Sequence, residues 1–137
     1  MNTRTDDLLR IRPTISTALI YDAMSSEERF QNTTLRPLLM LQNELLIDVL
    51  KNYFAKQKNT FYELPLPKQL DYIENVIQKD MKFRNSIKGM IIGQFTVEEY
   101  AIYIQNSSAL NKRMMHLVKE RFISQIQLFE PHMAKVI

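Results

Sequence analysis

The densest set of hydrogen-bonding side chains in this 137-residue sequence falls between Gln94 and Asn111, where Tyr100, Tyr103, Gln105, Asn106, Ser107, Ser108 and Asn111 interrupt an apolar stripe. Asparagine and serine lower helix propensity and bury badly without partners. Two arrangements satisfy them. In one, Tyr100, Tyr103, Asn106 and Asn111, joined by His116 further along, line a small-molecule pocket in which hydroxyls and amides orient a ligand. In the other, the same residues mark a helix break or an interhelical hydrogen-bond network, and the serines permit close packing.

His116 and Glu120 lie four apart and share a helix face, a spacing that suits two metal ligands or a base with its orienting carboxylate. They also read as surface groups beside Lys112 and Lys119. A di-iron bundle needs Glu-x-x-His motifs, whereas Arg113 stands three before His116 and Phe129 three before His132. Glu44 and Asp48, and Asp71 and Glu74, are acidic pairs best read as water-facing, with Asp48 within reach of Lys51. The chain has no cysteine, which removes disulfides, thiolate nucleophiles and thiolate-bound metals. Ser86, Ser107 and Ser108 sit in no Gly-x-Ser-x-Gly elbow. No catalytic residue, metal or other cofactor is expected.

Only two glycines, Gly89 and Gly93, occur, too few for a phosphate-cradling loop. Their spacing permits close backbone approach, or a simple helix stop at Gly93. The net charge of +3 is spread along the sequence. Lys79, Lys82, Arg84 and Lys88 would meet Lys112, Arg113, Lys119 and Arg121 only if their helices were neighbours, and Asp80, Glu98, Glu99 and Glu120 dilute them. Nucleic acid is therefore a disfavoured partner. No apolar run approaches the roughly 20 residues that span a bilayer. Asp6 and Asp7 stand where a signal peptide needs basic residues, so a cytoplasmic location is expected.

The elements that must position these residues are read from apolar periodicity. Leu35, Leu38, Leu39, Leu41, Leu45, Leu46, Val49, Leu50, Tyr53 and Phe54 predict a helix over 34–57, with Thr34 as N-cap and Pro37 in the first turn. Leu66, Leu70, Ile73, Val76, Ile77, Met81, Phe83, Ile87, Met90 and Ile91 predict a second over 67–92, stopped at Gly93. Thr96-Val97-Glu98-Glu99 is a capping box. After it the stripe keeps phase to Phe129, giving one helix over 97–130 ended by Pro131, or two broken near 107. Ser25-Ser26-Glu27-Glu28 opens a short helix through Phe30. Ile15, Ala18, Leu19 and Ala23 have helical spacing, weakened by β-branched neighbours.

The stretch from Met81 through Gly89-Met90-Ile91-Ile92-Gly93-Gln94-Phe95-Thr96, with Asn106-Ser107-Ser108-Ala109-Leu110-Asn111-Lys112-Arg113-Met114-Met115, resembles a family of small bacterial proteins, some labelled glyoxalase-related. The resemblance covers 34–129 and implies a small cytoplasmic protein, without transferable functional residues. A metal-dependent glyoxalase needs ligands on strands or a histidine-rich motif, and this sequence offers neither.

The expected fold is all-α: an antiparallel helical bundle of about four helices, with a long C-terminal helix and an N-terminal arm. It forms one domain, with an arm and short helix over 1–33, the bundle over 34–131 and a tail over 132–137. A 34-residue final helix would be about 50 Å long. It would outrun its neighbours, so a homodimer that covers the overhang is expected. The expected function is a non-enzymatic interaction or regulatory protein, the alternative a small-molecule binder or glyoxalase-related enzyme using the polar notch.

Overall fold

The structure, a computed structural model, describes residues 3–129. It is all-helical, with no strand among the described residues. The helices are α1 (Thr3–Ile11), α2 (Ser26–Phe30), α3 (Arg36–Lys56), α4 (Leu66–Lys79), α5 (Met81–Ile92), α6 (Val97–Tyr103) and α7 (Ser107–Ser124). A π-helical turn (Gln31–Leu35) joins α2 to α3, and single 3-10 turns occupy Thr60–Glu63 and Ile126–Phe129.

The expected helix over 34–57 starts earlier than its sequence suggests. Thr34 does not cap it; the chain is helical from Ser26 through Lys56, and Thr34 is buried inside the π-helical turn. Pro37 explains the widened turn. A proline inside a helix lacks an N–H and clashes with the carbonyl four residues back, and a π-bulge relieves both conflicts. The cap that starts this run is Ser25, whose hydroxyl accepts the Glu28 N–H at 3.1 Å. At the other end Lys58 and Asn59 take left-handed backbone angles, and the Asn59 N–H closes on the Phe54 carbonyl at 2.8 Å.

The expected helix over 67–92 is two helices, α4 and α5, broken at Asp80. The apolar stripe runs through the break in phase, which hid it. Asp80 leaves helical geometry and caps α5 by accepting the Phe83 N–H at 3.1 Å. Its other oxygen accepts the Tyr53 hydroxyl at 2.7 Å, tying the break to α3. Gly93 stops α5 in right-handed geometry.

The long C-terminal helix is also absent: α6 ends at Tyr103 and α7 starts at Ser107. The single helix of about 50 Å expected from the sequence, and the overhang it would have made, are therefore absent among the described residues. In the N-terminal thirty residues the helical spacing of Ile15, Ala18, Leu19 and Ala23 yields turns, while an unexpected helix forms over Thr3–Ile11. Pro131, His132 and the tail over 132–137 lie outside the described residues.

One apolar core joins these pieces. Leu35, Leu38, Leu46 and Leu50 from the α3 run meet Ile73 and Ile77 of α4, Ile87 and Ile91 of α5, and Met114, Val118 and Phe122 of α7. α7 packs against α3, α4, α5 and the π-helical turn, and so is the common contact of the body. At one end Phe54 stacks on Phe61 with centroids 3.9 Å apart, and Tyr72 and Phe129 set their rings edge-on to the pair.

Candidate functional site

The turn between α6 and α7 carries most of the polar residues singled out in the sequence. Tyr103, the last residue of α6, is buried and sets its ring edge-on to Phe95 with centroids 5.6 Å apart. Its hydroxyl donates to Asn111 Oδ1 at 2.6 Å, so the two side chains staple α6 to α7 across the turn. Tyr100 lies beside Tyr103, ring centroids 6.0 Å apart, and is exposed. Asn106 lies in the turn and precedes α7 without a side-chain capping bond. His116 sits on an exposed face of α7, its Nε2 paired with the Glu120 carboxylate. The fold thus brings together Tyr103 and Asn111, with Tyr100 alongside, and leaves Asn106 and His116 to solvent.

A second polar centre forms around Glu99, the third residue of the Thr96 capping box. Glu99 accepts the Thr96 backbone N–H at 2.8 Å and the Thr34 hydroxyl at 2.8 Å, while the Thr96 hydroxyl accepts the Glu99 N–H at 3.1 Å. Both carboxylate oxygens also take the Arg12 guanidinium, Nη1 on Oε2 and Nη2 on Oε1. The two side chains are 7% and 14% exposed, so this is an almost dry, bidentate pair. Burial pulls the Glu99 carboxyl upward, but Arg12, the Thr96 N–H and the Thr34 hydroxyl together outweigh it and hold it below the usual range. Arg4 adds bonds to the Phe95 and Gly93 carbonyls, both at 2.9 Å. No residue of α1 is buried, so arginines rather than apolar burial fasten the N-terminal arm.

A cleft of about 920 Å³ opens between the irregular segment at 15–18, the helical run at 28–40 and α7. Arg36, Arg113 and Arg121 line it with Glu28, Glu120 and several neutral amides; its apolar floor includes Leu39, Met40 and Leu117. None of Tyr100, Tyr103, Asn106, Asn111 or His116 lines it. Burial, with the Arg36 charge close by, lowers the Arg121 pKa from its ordinary value. A smaller hollow of about 600 Å³ beside α4 contains Tyr53, Tyr72 and Asp80. There burial and the Asp80 carboxylate push the Tyr53 hydroxyl pKa up, and the same bond lowers that of Asp80.

The sequence alone pointed to neither Arg12 nor the Arg36–Arg121 pair. Arg12 lies 87 residues from its partner, beyond the reach of any periodicity. The available local signal was the capping box, which marked Glu99 only as a helix start. Among the described residues no group of three or more His, Asp or Glu is arranged to hold a metal ion. No helix there is long and apolar enough to cross a membrane. Comparison of the chain with protein families, curated proteins and solved structures returned no match.

Proposed function

We propose that this chain is a non-enzymatic interaction or regulatory protein, an antiparallel helical bundle that pairs with a second copy of itself through α6. The observation that carries the proposal is the outward face of that helix. Val97, Tyr100 and Ile104 are 62%, 48% and 55% exposed, and Ala101 is exposed between them. Their spacing of i, i+3, i+4 and i+7 is that of a buried helical stripe, yet it faces water. Such a stripe is self-complementary: crossed antiparallel with its copy about a two-fold axis, Val97 meets Ile104 of the second copy. α6 has no basic residue and its Glu99 is turned inward to Arg12, which leaves Glu98 as the exposed charge of the helix.

The length of α6 sets the strength. Seven residues make a helix about 10 Å long, and its apolar face falls short of the ~800 Å² per partner of a standard interface. The pairing is accordingly weak and concentration-dependent. The alternative small-molecule reading of the notch has less support, because Tyr103 and Asn111 satisfy each other. The glyoxalase label is not adopted, since His116 is paired with Glu120 on the surface.

The absence of cysteine makes the test direct. Ala101→Cys places a single thiol at the centre of the stripe, and mild oxidation is expected to yield a covalent dimer. Lys56→Cys, on the exposed end of α3, serves as the control and should stay monomeric. Equal cross-linking of the two variants, or none with Ala101→Cys, would remove α6 as the interface.

A further inference from the structure

We propose that the cleft between the N-terminal segment and α7 binds a small organic phosphate monoester, its dianionic head between Arg36 and Arg121 and its organic part against Leu39 and Met40. The site is independent of the α6 pairing. Its basis is two guanidinium groups brought together in one cleft, neither with an ion-pair partner. Neither Arg36 nor Arg121 forms an ion pair among the described residues. Each is oriented by a neutral acceptor instead: Arg36 Nε donates to Asn32 Oδ1 at 3.1 Å, and Arg121 Nη1 donates to Asn43 Oδ1 at 3.1 Å. An amide acceptor fixes direction and leaves the positive charge intact.

The anchor of Arg121 is itself fixed. Asn43 and Gln125 exchange reciprocal amide hydrogen bonds, each 2.8 Å, and Gln125 also donates to the Arg121 carbonyl at 3.0 Å. This holds one guanidinium in place before any ligand arrives, as a binding site requires. The other charged groups of the cleft have partners of their own. Arg113 donates to Glu27 at 3.4 Å and to Gln31 at 3.1 Å. Glu28 accepts the Tyr21 hydroxyl at 3.0 Å, and Glu120 is paired with His116. Two guanidinium groups without an ion-pair partner among the described residues remain for a ligand, and a phosphate monoester dianion matches them in its fit to guanidinium forks. A bare phosphate ion would leave most of the 920 Å³ cleft and its apolar floor unused, which argues for an organic remainder.

Calorimetric titration of the full chain at fixed ionic strength tests this with three probes: phenyl phosphate, inorganic phosphate and benzoate. Phenyl phosphate is expected to bind saturably at one site per chain, and about tenfold or more tighter than either of the others. Arg36→Gln and Arg121→Gln should each weaken it by about tenfold or more, the loss of one charge-assisted contact. Thermal melting separates this from misfolding. Removing the Arg36 charge relieves its repulsion with Arg121, so Arg36→Gln is expected to melt no lower than the parent while losing phenyl phosphate. No saturable binding, undiminished binding by Arg36→Gln, or benzoate binding as tightly as phenyl phosphate would each overturn the site. Equal affinity for inorganic phosphate would overturn its organic part.

Discussion

Glu99 does three jobs with one carboxylate: it closes a capping box, accepts a hydroxyl from the π-helical turn, and holds Arg12 of the arm. Removing one member of a nearly dry ion pair strands the other, so Glu99→Gln is expected to lower stability by about 3–5 kcal/mol in denaturant unfolding. The pH dependence follows from the sign of the shift. The folded pKa of Glu99 lies below its unfolded value, so the stabilisation is complete above about pH 4.3 and fades as pH falls through the folded value. Parent and Glu99→Gln melting temperatures should therefore converge in acid. A gap unchanged by acid would deny the carboxylate its role. Tyr103→Phe leaves Asn111 without its donor and should lower stability by about 1–3 kcal/mol. Glu99 was visible in the sequence as part of a cap, and Tyr103 and Asn111 as polar intruders in an apolar stripe. Their partners were visible only where the chain itself brings them close: Asn111 lies eight residues from Tyr103, Arg12 eighty-seven from Glu99.

Helix type was legible throughout the central run because leucine, isoleucine and methionine recur at three and four; helix ends were less so. Asp80 interrupts a stripe whose phase survives the break, so periodicity alone joins α4 and α5 into one rod. The legible sign was the aspartate itself, a preferred cap residue. Asp80→Ala is expected to lower stability by about 1–2 kcal/mol, from the lost cap and the unmatched Tyr53 hydroxyl, with Asp80→Asn milder. Pro37 shows the opposite case: it reads as the first turn of a helix separate from the short one opened at Ser25, whereas a π-bulge absorbs the conflict that normally confines proline to a first turn and joins the two into one run. Gly89 is exposed inside α5, and an added Cβ would meet nothing within 4 Å. Gly89→Ala should accordingly raise stability by about 1 kcal/mol in the same unfolding assay.

At the scale of the molecule, the sequence pattern carried the all-helical class and most of the core, because both depend on which residues are apolar and how often they recur. It left the break at Ile104–Asn106 open, as one helix or two broken near 107, since the stripe keeps phase across it. The self-association we propose therefore uses a different surface from the overhanging helix that first suggested it. Val97 of α6 and Ile104 at its C-cap are both exposed and lie outside the apolar core. Sedimentation equilibrium of the unmodified chain over a wide concentration range is the most direct measurement. A monomer–dimer equilibrium that Val97→Glu with Ile104→Glu abolishes, at unchanged melting temperature, is the predicted result; a parent chain that stays monomeric at the highest concentration, or a double variant that pairs as well as the parent, would contradict it.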